Sequence, residues 1–169
     1  MAYQDRTDPP MTPMRTSALG VRFICRWEAF RATPYRDQAG HLTWGYGHCQ
    51  KAGEQPPAAI DIDAALALME SDLQPVERTI VSRVERHLTQ SEFDALVSLG
   101  YNIGPVALAG STLLRLVNAG RIDDAAKQFL QWSKVRNPKT GMLEPSSGLL
   151  ARRKAERTIF LGGLYNWDH

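Results

Sequence analysis

Long apolar runs, cysteine and net charge are all scarce in this chain, and each shortage narrows what it can be. No apolar stretch among its 169 residues approaches the ~18 needed for a transmembrane helix, so none is expected. The opening residues, MAYQDRTDPPMTPM, lack the apolar segment of a secretory signal. Their acidic residues and prolines predict a disordered lead-in over residues 1–16, ahead of one domain over 17–169. Synthesis in a cytoplasm follows, with any later export depending on outside help. Only two cysteines occur, Cys25 and Cys49, at no metal-binding or redox spacing, and both are expected as buried, unpaired thiols. With 20 basic against 18 acidic residues the net charge is only +2, too small to argue for a nucleic-acid partner. The basic residues that do cluster, Arg152, Arg153, Lys154 and Arg157, read as a solvated helix face. Internal repeats and low-complexity tracts are absent.

Against that plain background, the stretch from Arg26 to His48, RWEAFRATPYRDQAGHLTWGYGH, carries most of the information. Ser17 predicts a helix cap, and Phe23, Trp27 and Phe30 recur at helical spacing, so a helix is expected to about Phe30, stopped by Thr33-Pro34. The period then changes. Leu42, Trp44 and Tyr46 alternate with Thr43 and Gly45, and Gln38-Ala39-Gly40 supplies a turn, which predicts a hairpin. Gly45 and Gly47 permit close approach of a ligand or another backbone. Residues 51–57 read as a surface loop.

The remainder predicts helices. Asp63 is the expected cap of a long one, with Leu66, Met69, Leu73, Val76, Ile80 and Val84 on one stripe and a kink or lost bond at Pro75. Thr89 to Glu92 is a capping box, and Gly104-Pro105 a stop. Ser111 or Thr112 begins a short helix that Gly120 closes, Asp123 caps the next, Asn137 to Gly141 forms a turn-rich loop, and a last helix runs from Gly148 to Leu161. The fold class is α+β: a small hairpin lobe and a larger helical lobe, joined by the long helix, with a cleft between them.

Glycoside hydrolysis needs an acid for the leaving oxygen and a carboxylate to activate water or attack carbon. Glu28, beside Trp27 and near Phe30, has the apolar neighbours that help a carboxyl keep its proton, whereas Asp37 follows Arg36 in a polar turn suited to a group that stays ionised. Singly, each residue also has an ordinary structural reading: a surface Glu, a turn-forming Asp, a strand Thr.

The spacing of Glu28, Asp37 and Thr43 resembles that of the phage-type lysozymes, the endolysin family of T-even phage lysozyme. The surrounding residues Tyr35-Arg36-Asp37, Gly40, Thr43 and Gly45-Tyr46-Gly47-His48 agree, as do Phe93 to Leu96, Tyr101 to Gly104, Ser111 to Leu114 and Gly148 through Arg152-Arg153 to Glu156, so the likeness spans about Ser17 to Leu161. The resemblance implies a lysozyme-like fold and a muramidase cutting the β-1,4 bond between N-acetylmuramic acid and N-acetylglucosamine, with peptidoglycan glycan strands as partner and no cofactor or metal. It makes Glu28 the general acid, Asp37 the group that orients or deprotonates water, and Thr43 the holder of that water. An inverting reaction needs the carboxyls about 6.5–9.5 Å apart. Tyr101, Asn102 and Thr112 match substrate-facing positions, Arg152 an arginine that pairs with the acid, and His48 a histidine that bonds an acidic residue on the connecting helix, here Asp72. A charge pair between Arg152 and Glu28 would oppose the acid's task. The chain departs from the family at Ala29 and Cys49, and the latter places a thiol at the border of the cleft. Some relatives begin with a membrane-held anchor that delays activity, which this chain is expected to lack, so its release to the periplasm would depend on a membrane-pore protein (a holin) if it serves host lysis; a monomer without a nucleic-acid partner is expected. Two other readings stay open: a lytic transglycosylase needing Glu28 alone, and a non-catalytic cell-wall binding module using the basic last helix.

Overall fold

A computed structural model describes residues 13–37 and 40–165. In order, the described elements are α1 (Ala18–Trp27), β1 (Arg31–Arg36), β2 (Leu42–Gly45), β3 (His48–Cys49), α2 (Ile62–Arg83), α3 (Gln90–Ile103), α4 (Pro105–Ala109), α5 (Thr112–Asn118), α6 (Ile122–Gln128), a 3-10 turn (Phe129–Trp132), β4 (Lys134–Arg136), β5 (Leu143–Pro145) and α7 (Ser147–Gly162). A three-stranded antiparallel sheet in the order β1-β2-β3 forms the small lobe, and helices form the large one. This is the α+β arrangement that the hydrophobic periods predict.

The large lobe is built around α3. From Glu92 to Gly100 every residue of this helix is buried, which requires neighbours on all sides; α1, α2, α4 and α7 supply them. Gly100 lets α2 and α4 come close, since a β-carbon there would lie 2.4 Å from Val76 Cγ1 and 2.7 Å from a Leu108 methyl. Phe23, Ile24, Leu73, Ile80, Phe93, Leu96, Leu99 and Phe129 fill the centre, each contributing roughly 1.5–3 kcal/mol by burial. The buried Asp94 ties the start of α1 and the segment after α7 to this core: the Ser17 amide and hydroxyl, Gln90 Nε2 and the Tyr165 hydroxyl all donate to its carboxylate. Of the expected lead-in, residues 1–12 lie outside the described residues; Met14 packs on the core, and Thr16 donates from both amide and hydroxyl to Glu77 at 2.8 Å.

Several boundaries differ from the sequence expectation, and each difference has a local cause. Helix α1 ends at Trp27, not Phe30, because Glu28 already has extended backbone angles (φ −102°, ψ 124°). Thr33-Pro34 is no helix stop. It lies inside β1, where the pairing register with β2 shifts between Arg31 and Tyr35, the irregularity at which a residue without an amide hydrogen is tolerated. Asp61, not Asp63, caps α2, accepting from the Ala64 amide at 2.8 Å; Asp63 lies in the first turn. Pro75 has no amide hydrogen to give its helix, yet α2 runs through it as one element of 22 residues. Likewise α6 starts after Arg121, with Asp123 inside its first turn. Pro105 opens the short helix α4 as well as stopping α3, because proline suits a first helical turn. The expected loop at Asn137 to Gly141 is the turn of a second hairpin, β4–β5. Finally, of the expected solvated basic face, Lys154 is exposed and Arg157 half-buried, whereas Arg152 and Arg153 are 4% and 0% exposed and point into the fold.

Candidate active site

Each carboxyl of the sequence motif has a distinct structural origin. Glu28 is the residue at which α1 stops, and the turn out of the helix aims its side chain away from the α1 core stripe toward α7. There Arg152 Nη1 donates to Glu28 Oε1 at 2.6 Å. The opposite edge comes from the β2–β3 corner. Gly47, at φ +87°, needs glycine's freedom, and a β-carbon on it would stand 3.6 Å from the Tyr101 hydroxyl and 3.9 Å from Glu28 Oε2. Glu28, Gly47, Cys49, Asp72, Tyr101 and Asn102 line a cavity of about 580 Å³, with Gln50, Lys51 and Pro75 completing it. It opens between the small sheet, α1, α2 and α3. A groove of about 340 Å³ lined by Met14, Ile80, Val84 and Phe93 lies away from these carboxyls.

Asp37 follows β1 and organises the turn into β2. Its backbone amide donates to the His41 carbonyl at 2.9 Å, its Oδ1 accepts from the His41 amide at 2.8 Å, and its Oδ2 faces His41 Nδ1 at 3.4 Å. It therefore does the turn-forming work of its ordinary reading and still presents a partly exposed carboxylate. Thr43 is buried at 3% exposure; its hydroxyl donates to the His41 carbonyl at 3.2 Å and lies 3.8 Å from Cys49 Sγ. The strand register sets this up, since Thr43 pairs with Tyr35 on one side and Cys49 on the other. Cys49 thus touches the hydroxyl of the motif and lines the same cavity as Glu28. Contrary to expectation it is exposed, because β3 is the sheet's edge, whereas Cys25 is buried in α1.

These observations meet the comparisons with known proteins. The family model for phage lysozyme matches residues 25–156. The chain is 38% identical over 151 residues to the endolysin of Salmonella phage P22, covering 88% of this chain and 99% of that one. The chain belongs to the phage lysozyme family. Among solved structures, the endolysin from Escherichia coli O157:H7 phage FAHEc1 superposes with a TM-score of 0.84 at 32% identity, over 92% of this chain and 98% of that one. The muramidase domain of SpmX from Asticcacaulis excentricus, printed as Asticaccaulis, gives 0.79 at 33% identity, over 87% and 97%. As a phage lysozyme the chain is a glycoside hydrolase, an endolysin that degrades peptidoglycan.

Behind Glu28 this lysozyme carries a row of buried charges; the resemblance implied its Arg152–Glu28 pair, but not the continuation through Glu156 and Arg153. Glu156 is fully buried, and its Oε1 accepts from Ser98 Oγ at 2.7 Å, Arg153 Nη2 at 2.8 Å and Arg152 Nε at 3.2 Å. Its Oε2 touches Arg153 Nε at 2.7 Å without hydrogen-bond alignment. Burial pushes the Glu156 carboxyl up, against the pull of Arg153, Arg152 and the Ser98 hydroxyl. The groups described as bonding it, Ser98, Arg152 and Arg153, all donate to it, which suits an ionised acceptor. Arg153 in turn donates to Asn102 Oδ1 at 3.0 Å, leaving the Asn102 NH2 to face the cavity. The spacing Arg152-Arg153-x-x-Glu156 is visible in the sequence as an i,i+3 and i,i+4 arrangement; only the packing of α7 on α3 shows that it points inward.

The other candidate residues fall into three settings. The Tyr101 hydroxyl donates to the Tyr46 carbonyl at 3.1 Å, and burial, then the negative charges of Glu28, Asp72 and Cys49, push it far above the usual phenol range. His48 is buried with Nδ1 2.6 Å from Asp72 and Nε2 2.9 Å from Glu54; Lys51 bridges the same two carboxylates, donating from Nζ to Asp72 at 2.8 Å and from its amide to Glu54 at 2.9 Å. The Lys51 and His48 contacts hold Glu54 below its usual range. This cluster fastens β3 and the following loop to α2. Thr112 lies elsewhere: it is an exposed first residue of α5, Ser111 is the cap, and its hydroxyl accepts from Arg115 at 2.9 Å.

Proposed function

We propose that this endolysin cleaves the β-1,4 bond between N-acetylmuramic acid and N-acetylglucosamine, with Glu28 as general acid and Asp37 and Thr43 directing the attacking water. The observation that carries this reading is that Glu28 and the Asp37–Thr43 hairpin are joined through Cys49: the thiol borders the Glu28 cavity and lies against the Thr43 hydroxyl. A glycan strand laid in that cavity puts the leaving oxygen against Glu28, which gives up its proton as the bond to carbon breaks. Water on the far face of the sugar is deprotonated toward Asp37 as its oxygen bonds carbon, and attack from that face inverts the anomeric centre. The Thr43 hydroxyl supplies a fixed partner for this water. Dividing Arg152 between Glu28 and Glu156 leaves its charge part-neutralised on the side away from Glu28, which suits a carboxyl that must carry a proton when the glycan is bound. Tyr101 and the free NH2 of Asn102 offer a stacking face and a donor to an acetamido group.

The deciding experiment is clearing of purified peptidoglycan by wild type, Glu28→Gln and Asp37→Asn, with product masses. The acid variant is expected to lose at least about 10³-fold and the Asp37 variant at least about 10²-fold, the scale at which removal of an acid–base group acts. Products from the wild type carry a reducing muramic acid. An anhydro product, lighter by one water, with activity kept in Asp37→Asn, would replace this mechanism by transglycosylation. Action at the cell wall follows from this chemistry; we place the enzyme there after synthesis in the host cytoplasm and passage through a membrane pore, acting as a monomer. No described helix is long and apolar enough to cross a membrane.

A further inference from the structure

The β1–β2 turn and the edge strand β3 bring together three side chains that the hydrolytic reaction does not need as a set. Asp37, His41 and Cys49 each offer one ligand atom, an oxygen, a nitrogen and a sulfur, and these lie within 4.8 Å of one another. No other such group occurs among the described residues. We propose that Asp37, His41 and Cys49 bind a thiophilic divalent cation, Zn²⁺ above all, and that the bound ion switches hydrolysis off by occupying Asp37.

The register explains the convergence. Thr43 pairs with Cys49 across β2–β3, and the Asp37 turn folds His41 back over the start of β2, so all three side chains gather on the Thr43 side of the sheet. Bonds of about 2.0–2.3 Å from a tetrahedral zinc set its ligands roughly 3.3–3.6 Å apart. Asp37 Oδ2 and His41 Nδ1 already stand at 3.4 Å. From a separation of no more than 4.8 Å, sulfur has at most about 1.2 Å to close, which an exposed thiol on an edge strand and a mostly exposed imidazole allow. Three protein ligands leave a fourth position for water, the coordination of an open zinc site. The thiolate selects Zn²⁺ or Co²⁺ over Mg²⁺ and Ca²⁺, which prefer oxygen donors. On binding, the Cys49 sulfur–hydrogen bond breaks, its proton leaves to solvent and the thiolate pair forms the metal bond; no oxidant or reductant is involved. Inhibition rests on the role of Asp37 proposed above, whereas binding does not.

The test titrates the untagged chain with Co²⁺ and Zn²⁺, reading absorption and calorimetry, with peptidoglycan clearing measured in parallel. One equivalent of Co²⁺ is expected to give a near-ultraviolet sulfur-to-metal band that Zn²⁺ displaces and Mg²⁺ leaves unchanged. Cys49→Ser should abolish the band, and His41→Ala should weaken Zn²⁺ binding at least about tenfold, no less than loss of a supporting partner costs a metal site. With each variant's metal-free clearing as its own reference, Zn²⁺ should stop the wild type and leave the clearing rate of Cys49→Ser unchanged, with full recovery of the wild type after chelation. A Co²⁺ spectrum without the sulfur band, or equal Zn²⁺ affinity in Cys49→Ser, overturns the site. A normal band with undiminished clearing leaves the site standing and overturns both the inhibition and the assignment of Asp37 to the water.

Discussion

Glu156→Gln isolates what the buried charge row contributes to this enzyme. The substitution keeps volume and removes one charge from a carboxylate that is 0% exposed and touches Ser98, Arg152 and Arg153 at 2.7–3.2 Å. Arg152 keeps Glu28, but Arg153 keeps only the neutral Asn102 among the partners described. Uncompensating a buried ion pair costs about 3–5 kcal/mol. At roughly 2–4 °C per kcal/mol for a chain of 150–250 residues, the melting midpoint should fall by about 6–20 °C. Thermal unfolding followed by far-ultraviolet circular dichroism at pH 7 measures it. The companion is Arg153→Met with Glu156→Met, which removes both charges and restores an apolar contact; replacing a buried pair this way is often near neutral. The double variant should melt well above the sum of its single effects, a positive coupling of at least about 1 kcal/mol. A Glu156→Gln shift under about 3 °C, or additive singles, would show that the row is not a unit and refute the reasoning. Clearing well below the melting midpoint should also drop in Glu156→Gln, because Arg152 then rests wholly on Glu28.

The two thiols should separate cleanly. Burial and the nearby Glu28 raise Cys25 to about 11, so at pH 8 only about 0.1% of it is thiolate in the fold. A disulfide-exchange reagent should therefore release one fast equivalent, lost in Cys49→Ser, and one slow equivalent from Cys25; two equally fast thiols would contradict the burial of α1. Acid stability has its own reporter in Glu77. Burial pushes this carboxyl up, but the bonds from Thr16 and Arg15 outweigh it and hold it below its ordinary 4.5. The folded value is the lower one, so its contribution is complete above about 4.5 and is lost as pH falls through the folded value. Glu77→Gln should thus lower the melting midpoint at pH 7, and its gap to wild type should close as pH falls through the lowered folded value of Glu77; a gap that persists unchanged at low pH would rule that linkage out.

How much of this was legible in the sequence depended on how local each cause is. The capping box at Thr89 to Glu92, the Ser17 cap and the strand from Leu42 depend on neighbours within four residues, and the structure has them, although the strand stops at Gly45 and is buried on both faces from Thr43 on. Chain order also made the candidate site legible, because Glu28, Asp37 and Thr43 lie within one helix end and one hairpin, so their spacing is nearly their geometry. What was not legible depends on contacts between distant elements. Arg152 and Arg153 look like a basic surface until α7 packs on α3. The early end of α1 reflects β1, which begins at Arg31 and is pinned by the Ile60 amide donating to the Ala32 carbonyl at 2.7 Å. Cys49 is exposed because a two-residue edge strand has no neighbour on its outer side.

The position of Glu28 also says why the small hairpin lobe needs so large a helical partner. A carboxylate at the C-terminal end of a helix faces the negative end of the dipole, so α1 alone would turn it toward solvent. Arg152, reaching from a helix 124 residues away in the chain, reverses that preference with a single contact at 2.6 Å. Arg152 is itself desolvated, and it is tolerable there only because Glu156 offsets its second side and Ser98 supplies a carbonyl at 3.4 Å. The orientation of Glu28 thus depends on α7, α7 depends on the buried Glu156, and Glu156 depends on α3. A partly folded chain with an intact hairpin would hold Asp37 and Thr43 in place but leave Glu28 free to turn away. Activity should therefore vanish with the large lobe's cooperative unfolding and not survive in the hairpin lobe, and a protease-resistant hairpin fragment that still cleared peptidoglycan would break this chain of dependence.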